Sequence, residues 1–406
     1  MLLEKIRSWF APVEPLSQQM LHYQTPPDAE QQYRLHLRVE QDGRGLLVVN
    51  AATILHLNQT AAEHARLIIQ GTDVAEAAET ISKRYRVSSR RAAQDYKRLR
   101  DHIETLATTD DLDPVTYLDM ERAEPFSADT SAPYRADLAL TYRIDSSGAL
   151  DPEARRRVDR ELSTEEWREV LDRLWKVGVP HVCFTGGEPT QRDDLVELVR
   201  HAEDQGMVTG LLTDGRRLRD KEYLNELLLA GLDHIQITLC SHDAAEHDRI
   251  TGQTGAWADV NAGLRNAVEG DIYVVAHVIV TAANASSVAH TVDHLAGLGV
   301  HGLALSSPLR ELPESEQAEL QTALERGENT AHEHSMTVVW DLAAPYSLVN
   351  PVEIDANLVP EQIVRQHLYI EPDGDALPAQ GQNIVLGNLL RDDWGSIWNN
   401  PKRHNL

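Results

Sequence analysis

Cysteine is nearly missing from this sequence: Cys183 and Cys240 are the only two among 406 residues. Two thiols cannot build a disulfide framework, so a reducing, cytoplasmic setting is expected. They also cannot build even one four-thiolate iron–sulfur site. Long apolar runs are lacking as well, with none approaching the roughly 18 residues needed to cross a bilayer. The opening Met1-Leu2-Leu3-Glu4-Lys5-Ile6-Arg7-Ser8-Trp9-Phe10 is too short and too charged for a secretory signal. It reads as a small amphipathic helix docked either on its own protein or on a membrane surface, within a helical extension covering residues 1–30. Basic charge is scarce: 38 Lys and Arg against 64 Asp and Glu leave a net charge of −26. That balance repels a phosphate backbone and excludes nucleic acid as a partner for the chain as a whole. No P-loop, Rossmann fingerprint or nucleophile elbow is present.

What is present suits a protein of more than one domain, with 42% hydrophobic residues available for cores. In residues 31–108, Leu35, Leu37 and Val39 alternate with polar neighbours as a strand does, and Asp42-Gly43 marks a turn. Leu46-Leu47-Val48-Val49 and Ile54-Leu55-His56-Leu57 read as further strands. Thr60 to Ile69, Val74 to Tyr85 and Ser89 to Leu106 carry apolar residues at helical spacing. A small sheet followed by three helices is a winged-helix-like arrangement. Lys83, Arg84, Arg86, Arg90, Arg91, Lys97, Arg98 and Arg100 gather there with Asp95 as the only acid. The stretch reads either as a solvated helix face or as a docking surface for an acidic peptide, with Arg84, Arg90, Arg91 and Arg98 as its contacts.

Residues 109–133 are rich in Asp, Glu, Ser, Thr, Ala and Pro and read as a linker. From residue 134 to about 340 strands and helices alternate, which predicts a parallel sheet with helices on its outer face and an α/β fold class. Ser163-Thr164-Glu165-Glu166 is a capping box that opens a helix before the strand His181 to Thr185. Later strands are expected at Gly206 to Thr213, His234 to Leu239, Ile272 to Thr281 and Gly302 to Leu305.

Leu138-Ala139-Leu140-Thr141-Tyr142-Arg143 precedes the segment Phe184-Thr185-Gly186-Gly187-Glu188-Pro189. This pair of motifs resembles the radical S-adenosylmethionine (radical SAM) family, specifically peptide-modifying members with a PqqD-like N-terminal domain and a SPASM-type C-terminal extension. The resemblance covers most of the chain from about Tyr33. It implies a partial (β/α)6 barrel, with the cofactor lying across the carboxyl ends of the strands. In that family the first strand leads into C-x3-C-x2-C, which holds a [4Fe–4S] cluster. By register those three positions are Ile144, Gly148 and Asp151 here, and none offers a thiolate.

The resemblance also implies that Gly186, Gly187, Glu188 and Pro189 form a residual cradle for S-adenosylmethionine, with Glu188 accepting from its ammonium group. At the other end, Tyr369-Ile370-Glu371-Pro372-Asp373-Gly374-Asp375-Ala376-Leu377-Pro378-Ala379 and Leu386-Gly387-Asn388-Leu389-Leu390 resemble a SPASM segment across residues 341–406. Ser347, Tyr369 and Ala379 stand where its cluster cysteines are expected.

The implied protein is a degenerate, cluster-less member of the family, with no metal and no cofactor unless the cradle retains S-adenosylmethionine. Its implied partners are a precursor or leader peptide, added to the edge of the N-terminal sheet, and an active radical SAM paralogue. The alternative is a repurposed enzyme that binds SAM or another small molecule at the barrel mouth and works through Glu188, Asp214 or Cys240. Cys183 reads as a small core residue in a buried strand. His290 and His294, with His332 and His334 nearby, read as solvated helix faces rather than as a metal centre.

Overall fold

A computed structural model describes residues 13–26, 28–50, 53–109, 130–144, 158, 160–270, 272–307, 313–339, 367–380 and 382–404. The chain divides into two compact units, Met1–Ser131 with Lys176–Pro180, and Ala132–Trp175 with His181–Leu406.

In the first unit β1 (Gln19–Gln24), β2 (Arg34–Val39), β3 (Gly45–Val49) and β4 (Thr53–Leu57) form an antiparallel sheet in that order. Three helices follow: α1 (Gln59–Ile69), α2 (Val74–Tyr85) and α3 (Ser89–Thr108). The period-two positions Leu35, Leu37 and Val39 join Leu47 and Val49 under Ala62, Ala65, Ile103 and Leu106. Each of these larger side chains contributes about 1.5–3 kcal/mol on burial. Asn58, Asp73 and Ser88 cap the three helices by accepting from free first-turn amides, which fixes where each begins.

The extension expected to be helical differs. Gln19–Gln24 is a strand paired antiparallel with β2, and its alternate residues Leu21 and Tyr23 lie against the sheet's core. Pairing with β2 satisfies the backbone polar groups that a helix would otherwise satisfy internally. Residues 1–12, where the amphipathic helix was expected, fall outside the described residues, as does most of the predicted linker.

The second unit alternates as the sequence predicts: β5 (Arg135–Thr141), α4 (Thr164–Val177), β6 (His181–Gly186), α5 (Leu195–Gln205), β7 (Val208–Thr213), α6 (Lys221–Leu229) and β8 (His234–Thr238). It continues through α7 (Ala244–Thr251), α8 (Ala256–Glu269), β9 (Tyr273–Ile279), α9 (Val288–Gly297), β10 (Gly302–Ser306), α10 (Glu314–Glu333) and β11 (Thr337–Val339). Strands β12 (His367–Ile370), β13 (Asp375–Leu377) and β14 (Gly387–Asn388), then helix α11 (Trp394–Trp398), complete it. One sheet runs in the order β11-β10-β9-β8-β7-β6-β5-β12-β13-β14. The fold is α/β, and strands β5 to β10 lie side by side in chain order. All neighbours from β11 to β12 are parallel, and β12, β13 and β14 pair antiparallel.

Register separates the two faces of this sheet. Leu138, Phe184, Leu211, Ile235 and Val274 align across five strands, and all are fully buried. The helices cover this apolar face; Leu305, for example, lies against Gly327 of α10. One residue back along each strand the row reads Asp137, Cys183, Gly210, His234 and Tyr273. Successive strand residues point to opposite faces, so this polar row, together with Gln236, Thr238, His277 and Ser306, belongs to the other side.

Candidate functional site

The Gly186–Pro189 turn forms where β6 ends against the end of β5. Gly187 N donates to Thr141 O at 2.7 Å and Glu188 N to Arg143 O at 2.7 Å. A Cβ on Gly186 would stand 2.1 Å from Thr141 O, and one on Gly187 would stand 2.4 Å from Arg143 O. Gly186 also has φ +129°, a conformation that L side chains rarely adopt. In this structure the glycines let the end of β5 approach, and backbone of the chain itself occupies the space a side chain would take.

Glu188 is 2% exposed. Its Oε1 accepts from Thr190 N (3.0 Å), Thr190 Oγ1 (2.6 Å) and Thr213 Oγ1 (2.7 Å), and its Oε2 from Asp214 N (2.7 Å). The carboxyl caps the short 3-10 turn Pro189–Gln191 and ties it to the end of β7. Burial first, and then the charge of Asp214, push its pKa up to about 8, while the Thr190, Asp214 and Thr213 donors pull the other way. The residue that the resemblance sets against a ligand's ammonium group thus accepts four hydrogen bonds within the fold.

Asp214 accepts from Arg216 N at 2.9 Å and from Arg216 Nε at 2.7 Å. Arg192 is nearly buried and holds the outer rim together, forking onto Asp194 at 2.8 and 2.6 Å and donating to Leu140 O and Leu162 O. Cys240 is buried, and burial pushes its thiol up to about 12, so it is not a thiolate at neutral pH. Its amide donates to His247 Nδ1 at 3.2 Å, and burial lowers His247 to about 4.

Of the three expected cluster positions only Ile144 is described, and its side chain packs with Ala139, Tyr142, Tyr369 and Leu377. Gly148, Asp151 and Ser347 lie outside the described residues. Tyr369 is fully buried in that apolar group, and Tyr142 Oη donates to Glu371 Oε1 at 3.0 Å. Ala379 is 9% exposed. These surroundings are alkyl and aromatic, and the two cysteines of the chain lie on β6 and just past β8; the residues present do not fit a four-thiolate cluster.

On the N-terminal unit, Arg84 forms an ion pair with Glu63 at 2.8 Å, where the carboxylate is 2% exposed. Arg90, Arg91 and Arg98 are exposed on α3, and Arg91 reaches Asp95 at 3.6 Å. The four predicted contacts thus sort into one arginine held by the fold and three facing water. The outer histidines do not converge: His294 bonds Asn261 at 2.6 Å and His334 bonds Asp293 at 2.8 Å.

Sequence reading missed the polar row inside the sheet. His277 Nε2 meets Ser306 Oγ at 2.8 Å, and burial lowers this histidine to about 4. The fully buried Thr185 hydroxyl has no hydrogen-bond partner among the described residues. The signal was available as histidine and threonine at alternate positions of strands that otherwise read as apolar runs. No helix among the described residues is long and apolar enough to cross a membrane.

Residues 142–295 match the Radical SAM superfamily model. The chain is 47% identical over 100 residues to the PqqA peptide cyclase of Bradyrhizobium diazoefficiens, a match covering 25% of this chain and 26% of that protein. It is 28% identical over 242 residues to the PqqA peptide cyclase of Granulibacter bethesdensis, covering 57% and 63%. The chain therefore spans between about a quarter and two thirds of these relatives' lengths. Its fold resembles that of SuiB of Streptococcus suis bound to S-adenosylmethionine, with TM-score 0.59 at 14% identity, covering 95% of this chain and 90% of that one. The same protein bound to its precursor peptide SuiA gives TM-score 0.59 at 15% identity, over 96% and 89%.

Proposed function

We propose that this chain serves peptide modification as a cluster-free, radical-SAM-like scaffold, using its N-terminal unit to hold a precursor peptide and its α/β unit to support an active radical SAM paralogue. The observation that carries this reading is the donor set: Ile144 sits in an alkyl and aromatic group where the first cluster thiolate would stand, and both cysteines of the chain are buried elsewhere. A [4Fe–4S] cluster is the source of the electron that cleaves S-adenosylmethionine, and without thiolates to hold it that step has no starting point. Likeness to peptide cyclases and to a structure holding a precursor peptide supports the peptide as partner. An antiparallel sheet with the three exposed arginines on α3 supports capture of an extended, acidic segment.

Anaerobic reconstitution with iron and sulfide, followed by iron analysis and calorimetric titration of S-adenosylmethionine and of precursor peptide, tests the proposal. Peptide heat without stoichiometric iron supports it; a full cluster, or no binding of peptide by the full chain, overturns it. The polar sheet face with Thr185, His277 and Ser306 favours one further reading, a small molecule bound at the barrel mouth for non-radical chemistry. Heat from S-adenosylmethionine in the iron-free protein would favour that second reading.

A further inference from the structure

The floor of the polar sheet face brings together three side chains from different strands. His181 and Cys183 lie two residues apart on β6 and so share a face, and His234 opens β8. Between them runs β7, where Gly210 aligns with Cys183 on one side and with His234 on the other. The ligand atoms of the three residues all lie within 4.8 Å of one another. Cys183 Sγ stands 3.5 Å from His181 Nε2, and His181 Nε2 stands 2.8 Å from His234 Nε2.

Gly210 makes this convergence sterically allowed. A Cβ there would stand 2.2 Å from His234 Cε1, 2.5 Å from His234 Nε2 and 2.9 Å from Cys183 Sγ. Any side chain on the middle strand would fill the space into which the outer two strands reach.

We propose that His181, Cys183 and His234 form a binding site for a zinc-class divalent cation, held across β6, β7 and β8 with a water in its fourth position. Two imidazoles and one thiolate form a borderline-soft donor set that suits zinc and its d-block neighbours and disfavours magnesium or calcium. Tetrahedral zinc, with bonds of about 2.3 Å to sulfur and about 2.0–2.1 Å to nitrogen, sets sulfur and nitrogen about 3.5 Å apart and two nitrogens about 3.4 Å apart. The Cys183–His181 spacing of 3.5 Å already matches, and His234 lies within 4.8 Å of both. The two imidazoles, set edge to face at 75°, must part by about 0.6 Å, which small side-chain rotations supply. Cys183 is fully buried, whereas both histidines are half-buried, which leaves a water-accessible side for the fourth position. The ion would fasten β6 to β8 beneath the rim that carries Gly186 and Glu188. The site stands independently of the scaffold reading.

The test uses the untagged full chain, stripped with a chelator and titrated with Zn(II) by calorimetry and with Co(II) by absorption. One equivalent of each is expected, with a thiolate-to-cobalt charge-transfer band. That band should vanish in Cys183→Ser, persist in Cys240→Ser, and require at least about tenfold more Co(II) in His234→Gln. Absence of binding to the wild-type chain overturns the proposal, as does a charge-transfer band that survives Cys183→Ser or disappears in Cys240→Ser. Far-UV circular dichroism and urea unfolding of each variant separate loss of the site from loss of the fold, since both cysteines are buried.

Discussion

Thr213 Oγ1 donates to Glu188 Oε1 at 2.7 Å, fastening the end of β7 to the turn that follows β6. The Gly-Gly-Glu-Pro turn is thereby part of the sheet's own hydrogen-bond network, with Glu188 as its hub.

Glu188→Gln should cost about 1–3 kcal/mol of stability, because the new amide would set N–H against the Asp214 N–H, leaving a buried donor unsatisfied. Urea unfolding measures the loss. The sign of its pH dependence follows from the raised pKa: a carboxyl titrating near 8 when folded and near 4.5 when unfolded contributes stability that is present below about 4.5 and lost as pH rises through 8. Glutamine does not titrate, so the deficit of the variant should shrink as pH rises across that window.

Gly186→Ala should destabilise the second unit by about 1–3 kcal/mol or more, since its Cβ would meet Thr141 O at 2.1 Å in a left-handed backbone. The substitution should unfold the chain at lower urea whether or not S-adenosylmethionine is present. Equal stability of the two proteins would show that the glycine answers to a ligand rather than to β5.

Acid should weaken the fold through His247 and His277, each lowered by burial to about 4. Both are neutral in the folded chain and bind protons more readily when unfolded. Stability should therefore fall as pH drops from about 6.5 toward 4, by on the order of 3 kcal/mol for the fully buried His277. His277→Asn should flatten that acid limb in thermal melts between those pH values.

Arg84→Ala should lower the stability of the N-terminal unit by about 1–2 kcal/mol, because the buried Glu63 carboxylate would lose its 2.8 Å pair and keep the longer one to Arg66 at 3.5 Å. Arg91→Ala should change stability by less than about 0.5 kcal/mol, because its pair with Asp95 is exposed. For an acidic peptide the order reverses: charge reversal at Arg90, Arg91 and Arg98 should weaken binding, measured by fluorescence anisotropy, while leaving unfolding unchanged.

The sequence by itself determined the elements. Alternation at Leu35, Leu37 and Val39 and again from Ile235 to Leu239, and the capping box at Ser163 to Glu166, are local patterns, and helix or strand formation reads mainly the local pattern. It determined the α/β class as well, and it placed the Gly186–Pro189 turn after its strand. The strand at Gln19–Gln24 escaped, because an edge strand with polar residues on its open side gains its stability from pairing with β2 rather than from its own composition.

Tertiary structure alone decided what the turn and the polar positions do. The donors that Thr213 and Asp214 bring to Glu188 come from 25 and 26 positions away in the chain, so no local pattern announces them. Cys183 is the buried strand residue the sequence suggests, but its nearness to His234, 51 positions beyond it, comes only from the parallel register through Gly210. A side chain's pKa, its partners and its capacity to hold an ion depend on what surrounds it in space, and strand register, set by the packing of the whole apolar face, is what places those surroundings.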